Sequence, residues 1–218
     1  MQIQYNLGLS KMRLFTTIAA IATISFSCLG QANAINNGGF EDSNITIGWE
    51  YRSDNNHGWQ GENIEIWRTG FLGVDSKEGD YHGELNSHSL SQGASAFSIY
   101  QTFETTLDAL YEVTFAYRAR RSDNEAFAFT LETANKVQLA KTMDDHIVDM
   151  WEVYSATFKG TGDQTMLTFT SITPATGSVG NFIDAVSVTT VPVPEPGSLL
   201  LMGLGLLGLG VSRKLSRG

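Results

Sequence analysis

The segment Phe182-Ile183-Asp184-Ala185-Val186-Ser187-Val188 sets a carboxylate inside an apolar, strand-forming run. With a period of two, Phe182, Asp184, Val186 and Val188 share one face. A carboxylate on a core face is costly unless it is paired, hydrogen-bonded or metal-bound. Asp184 therefore reads either as a metal ligand or as an acceptor for backbone N–H groups. The stretch Ser53–Gly61 places His57 and Trp59 among small polar residues. Sugar sites need flat aromatic faces together with amides and carboxylates, and Trp59, Tyr51 and Asn56 fit that need. The competing reading folds Trp59 back over the edge of the fold. Arg118 and Arg120 share the polar face of a strand end, next to Arg121. Their forks could grip the carboxylates of an acidic polysaccharide, or form weak solvated pairs with neighbours such as Asp123 and Glu125.

Signatures of catalysis are missing. No Gly-x-Ser-x-Gly, HExxH or phosphate loop occurs. His57, His82, His88 and His146 have no ligand-like spacing, and Asp144-Asp145-His146 reads more simply as a polar turn than as an acid–base cluster. Glycoside hydrolysis needs two carboxylates at a set separation, and no motif marks such a pair. The expectation is a protein without catalytic activity.

Strands must position these residues. In Tyr111–Ala119, Tyr111, Val113, Phe115 and Tyr117 alternate with Glu112, Thr114, Ala116 and Arg118, the pattern of a strand with one buried face. Phe127, Phe129 and Leu131 repeat it. Further strands are expected at Ile64–Arg68, Ala96–Phe103, Glu152–Phe158, Met166–Thr170 and Phe182–Val188, with Gly/Asn/Asp/Ser-rich breaks between them. No long segment has the 3.6-residue period of an amphipathic helix. The fold class is all-β, an antiparallel β-sandwich of jelly-roll type.

Both ends of the chain read as addresses. Lys11 and Arg13 precede an apolar run, Leu14 to Leu29, and Ala32-Asn33-Ala34 gives a small-x-small cleavage pattern, so residues 1–34 read as a signal peptide cut after Ala34. Translation could equally start at Met12. The only cysteine, Cys28, falls in this segment, so the exported domain, residues 35–190, has no disulfide or thiolate metal site. That domain holds nine Lys/Arg and 22 Asp/Glu, a formal charge of −13. The sign disfavours nucleic acid. Residues 191–218 combine a Pro-rich spacer, a glycine-containing apolar stretch from Ser198 to Val211 and a basic end with Arg213, Lys214 and Arg217. With Pro194-Glu195-Pro196, this resembles the PEP-CTERM sorting signal. The resemblance implies processing by an exosortase in a Gram-negative bacterium. It also implies transient insertion of an apolar C-terminal helix in the inner membrane and delivery to the surface or an exopolysaccharide matrix.

Three segments in order, Asn37-Gly38-Gly39-Phe40-Glu41, Gly79-Asp80-Tyr81-His82-Gly83-Glu84-Leu85-Asn86 and Gly180–Val188, resemble the galactose-binding-domain-like superfamily. Its carbohydrate-binding modules often hold a structural calcium ion near the terminal strands. The resemblance places the ligands at Glu41 and Asp184. The expected function is a surface or matrix protein that binds carbohydrate. The alternatives are an adhesive matrix component with no defined sugar and, more distantly, a polysaccharide hydrolase.

Overall fold

The computed structural model describes residues 32–52, 58–61, 64–86, 98–175, 177–192 and 203–205. Two antiparallel sheets face each other. The first has six strands in the order β1 (Trp49–Arg52), β3 (Ile64–Arg68), β4 (Tyr81–Glu84), β11 (Phe182–Thr190), β6 (Leu110–Arg118) and β9 (Glu152–Lys159). The second has five, in the order β2 (Gln60–Gly61), β5 (Ser98–Glu104), β10 (Gln164–Thr173), β7 (Ala126–Thr133) and β8 (Lys136–Met143). The chain is an all-β jelly-roll sandwich. Residues 203–205 are helical, and among the described residues no helix is long and apolar enough to cross a membrane.

Alternation builds the core. Tyr111, Val113, Phe115 and Tyr117 of β6 point at Phe127, Phe129 and Leu131 of β7 and Leu167 and Phe169 of β10. Phe115 sits at the centre, within 6.2 Å (ring centroids) of Tyr117, Phe127, Phe129, Tyr154 and Phe169. The N-terminal segment closes one end. Phe40 lies over Gly83, where a Cβ would come within 2.6 Å of its ring.

Trp59 belongs to this core rather than to a binding surface. It is 1% exposed, stacks on Phe40 at 5.4 Å and donates its indole N–H to the Asn37 carbonyl at 3.0 Å. The apolar body is worth more against Phe40 and Phe169 than in a solvated loop, and the carbonyl satisfies its one polar atom. Asn56 and the rest of residues 53–57 lie outside the described residues. Tyr51 is half-buried on the edge strand β1.

The closing strand also departs from its expected pattern. Ile183, Val186 and Val188 join the central core, while Phe182 packs in a second cluster with Trp67 and Val74 on the outer side of the six-stranded sheet. A register shift between Asp184 and Ser187, with Ala185 at φ 51°, inserts the extra residue. This β-bulge turns Phe182 and Asp184 to the face opposite Val186.

Because Trp59 fills core volume, Trp59→Ala is expected to cost about 3–5 kcal/mol of folding stability. Urea unfolding of the domain checks this by a fall in midpoint at unchanged slope. An unchanged midpoint would contradict the core assignment.

Candidate functional site

The two outer faces of the sandwich differ. That of the six-stranded sheet is closed over β3, β4 and the adjoining ends of β11 and β6, while the outward residues of β9 are exposed. Glu65, Trp67, His82, Glu84, Arg118, Phe182 and Asp184 are all buried there, under the segments that carry Phe71, Asp149, Trp151 and Ser178. Trp151 donates its indole N–H to the Asp75 carbonyl at 2.8 Å, which holds one covering segment to another. Trp67 donates to Glu65 Oε1 at 2.7 Å. Glu84 Oε1 accepts from Arg120 Nη1 at 2.6 Å and from the Gly180 N–H at 2.8 Å. Burial drives the Glu84 carboxyl well above the usual carboxylate range, with the neighbouring Glu65 adding to it and Arg120 opposing it.

Both arginines expected to grip an acidic sugar are committed inside this cluster. Arg120 lies 4.5 Å from the Trp67 ring centroid, bonded to Glu84 and to the Ser178 carbonyl at 2.8 Å. Arg118 is buried and pairs with Asp149 at 3.1 Å. Their partners are thus Glu84 and Asp149, not Asp123 and Glu125. Glu125 instead accepts the main-chain N–H groups of Arg120, Arg121 and Ser122. The 144–146 turn is likewise structural. Asp145 accepts the Tyr117 hydroxyl at 2.9 Å, and the buried His146 meets Asn181 Oδ1 at 2.7 Å.

Glu41 and Asp184 lie on either side of one loop, residues 77–81. Asp184 Oδ2 accepts the N–H groups of Lys77 and Glu78 at 2.7 and 3.1 Å, and Oδ1 accepts that of Ala185 at 2.7 Å. Glu41 accepts those of Asp80 and Tyr81 at 2.9 and 3.1 Å. Burial pushes the Asp184 carboxyl up to about 7, against the pull of these amide donors. The oxygen chemistry suits calcium in kind, and the remaining ligands would come from carbonyls and water. Backbone donors already satisfy both carboxylates. Among the described residues no three acidic, histidine or cysteine side chains gather into a metal-holding group. The two carboxylates serve as loop anchors.

The outer face of the five-stranded sheet is polar, and among the described residues no covering segment packs on it. Register pairs give rows of side chains across it. Gln60, Tyr100, Thr168, Thr130 and Ala140 form one row. Ser98, Thr170, Ala128 and Thr142 form a second, and Thr102, Met166 and Glu132 a third. Their inward neighbours Ile99, Phe103, Leu167, Phe169, Phe129 and Leu131 are core, which fixes the direction of the rest. Neighbouring strands lie ~4.8 Å apart, and same-face residues repeat about every 7 Å along each, so the hydroxyls form a regular array. Thr168, in the middle of it, is half-buried, and its buried Oγ1 finds no partner among the described residues. At one end, Thr102, Glu132, Asn135, Asp163, Gln164 and Met166 line a groove of about 470 Å³. Hydroxyl, amide and carboxylate groups beside one aromatic and one thioether suit a sugar ring, whose edges are polar and whose faces carry C–H groups.

None of these residues was singled out from the sequence. The signal was there as period two: Ser98, Tyr100, Thr102 and Glu104 alternate with Ile99 and Phe103, and Thr168 and Thr170 with Leu167 and Phe169. Alternation marks the face but not whether anything covers it.

His82 gives the closed face a pH dependence. It is fully buried, with Nδ1 2.9 Å from Ser76 Oγ and Nε2 without a partner among the described residues. Burial, then the charge of Arg118, pushes its pKa from 6.5 down to about 3. The unfolded chain therefore takes up the proton first. The stability that His82 contributes is full above about 6.5 and is lost as pH falls towards 3. Melting curves from about pH 7 to pH 4 should show a steeper acid loss in the wild type than in His82→Gln. Parallel curves would contradict a buried neutral imidazole.

Comparison with known proteins follows this geometry. The PEP-CTERM protein-sorting motif matches residues 192–214 and marks an exported protein sorted to the cell surface. Halomucin of Haloquadratum walsbyi is 29% identical over 182 residues, 80% of this chain, and the chain spans about 2% of halomucin's length. Among solved structures, the module TmCBM61 in complex with β-1,4-galactotriose superposes with a TM-score of 0.50 at 15% identity, over 73% of this chain and 99% of that one. The CBM22-1 xylan-binding domain from Paenibacillus barcinonensis Xyn10C gives 0.45 at 14% identity, over 75% and 97%. Residues 33–189, nearly the whole sandwich, match the family described as protein of unknown function DUF642, and the chain belongs to that family.

Proposed function

We propose that the chain is a non-catalytic surface protein that binds a neutral polysaccharide across the open face of its five-stranded sheet. The observation that carries this reading is the array of Tyr100, Thr102, Thr130, Thr168 and Thr170, uncovered among the described residues and running into the groove at Glu132 and Asp163. The shared fold with TmCBM61, itself described with a galactotriose, supports a glycan as ligand. Charge selects among glycans. The exported domain carries a formal −13, and Glu104, Glu132 and Asp163 border the face, so an acidic polysaccharide meets like charge. Each contact is weak, and many copies on one surface supply avidity. Signal peptidase and an exosortase acting near Pro194-Glu195-Pro196 deliver the domain from a transient stay in the inner membrane of a Gram-negative bacterium to its surface matrix.

Affinity electrophoresis of the domain through gels of neutral and acidic polysaccharides tests this. We expect retardation by a neutral polysaccharide and about a tenfold weaker effect for Tyr100→Ala, the equivalent of about 1.4 kcal/mol of stacking. Retardation by no polysaccharide, or equal retardation of Tyr100→Ala, would overturn the assignment. Release of reducing ends during the run would return the hydrolase reading.

A structural calcium at Glu41 and Asp184 is a separate proposal, resting on the two carboxylates flanking one loop. Metal analysis of the purified domain should find one calcium per chain that is lost in Glu41→Gln. No bound metal, with melting unchanged by chelator, would leave the backbone anchoring as the whole role of these residues.

A further inference from the structure

We infer that the signal peptide is removed after Ala32, so that the exported chain begins at Asn33. Two small-x-small frames overlap here, Gly30-Gln31-Ala32 and Ala32-Asn33-Ala34, and either suits a signal peptidase. The fold separates them, because Asn33 and Ala34 are built into the sandwich. Asn33 Oδ1 accepts the N–H groups of Val188 at 2.8 Å and Ile35 at 3.0 Å, and Asn33 Nδ2 donates to the Val186 carbonyl at 3.2 Å. The Ala34 N–H donates to the Val188 carbonyl at 2.8 Å, and the Val186 N–H donates to the Gly38 carbonyl at 3.0 Å. Residues 34–38 thus run antiparallel along β11.

A cut after Ala34 would strip Val188 of partners on both its N–H and its carbonyl, and Val186 of one. Both valines are core residues, 0% and 1% exposed, where orphaned main-chain groups are costly. The same cut would place a new ammonium group on Ile35, which is 3% exposed and packed in the core, against the rule that buried charges need partners. A cut after Ala32 puts that charge on Asn33, which is exposed, and keeps every one of these bonds.

The full chain, exported from a Gram-negative host, is read by intact mass and N-terminal sequencing. The expected start is Asn33, heavier than the alternative by one Asn and one Ala. Two substitutions in the full-length precursor give an independent reading that does not need a folded product. Gly30→Leu places a bulky residue three positions before the proposed cut, leaves only the Ala32-Asn33-Ala34 frame, and should abolish the Asn33 start, so that any processed product begins at Ile35. Ala34→Leu falls after that cut and should be processed as the wild type is. A wild-type start at Ile35, or the reverse pattern in the two substitutions, overturns the inference.

Discussion

Ala185 adopts φ 51°, a conformation disfavoured for a residue with a Cβ, and it does so at the point where β11 changes faces. Before it, Phe182 and Asp184 look outward; after it, Val186 and Val188 look into the sandwich. Asp184 stabilises the break by accepting the Ala185 N–H on one oxygen while its other oxygen holds Lys77 and Glu78. Through one carboxylate the bulge is tied to the loop that helps cover the closed face. The same stretch of β11 receives the N-terminal segment at Val186 and Val188. A straight strand would bury Asp184 between the sheets and leave the N-terminal residues without a matching edge.

From that bend follows the asymmetry of the molecule. One outer face is spent on stability, with an interlocked set of Trp67, His82, Phe182, Arg118, Arg120, Glu65 and Glu84 beneath its covering loops. The other is a polar pleated surface rich in threonine, with no cover among the described residues. The buried ionisable groups with strongly shifted titration, His82, Glu84 and Asp184, sit on the covered side, where burial is the main cause of each shift. Just after β11, the Val191 N–H donates to the Leu110 carbonyl at 2.7 Å. This is the end where the loops of residues 105–109 and 160–163 pass between the sheets and where Asp163 and Gln164 form the groove.

The sequence made most of the architecture legible because the long strands are amphipathic. Ile64–Arg68 has the expected bounds, β6 lies one residue N-terminal to its expected span, β7 and β11 extend a little beyond theirs, and β10 runs well beyond its expected Met166–Thr170 at both ends. Strands β1, β2, β4 and β8 escaped notice. Tyr81–Glu84 is too short to show a period and carries His82 and Glu84 on a face that proves buried. Lys136–Met143 is an edge strand, where lysines interrupt the apolar pattern. The polar residues misled in a consistent way. Arg118 and Arg120 looked like surface groups and Trp59 could be read either way because their local neighbours are polar, but their partners, Asp149, Glu84 and Phe40, come from distant parts of the chain. Asp184 was correctly singled out as a carboxylate needing a partner, and the backbone donors that meet it come from a loop 106 and 107 residues away.

The central claim is that the bare face of the five-stranded sheet is the working surface. Amide chemical-shift mapping of the isotopically labelled chain, titrated with a neutral surface polysaccharide, tests it most directly. The account predicts shifts concentrated in Ser98–Thr102, Ala128–Glu132 and Met166–Thr170, with the resonances of Trp67, His82 and Phe182 unmoved. Shifts centred on Trp67, Trp151 and Arg118, with the threonine rows unchanged, would contradict it and move the site to the opposite face.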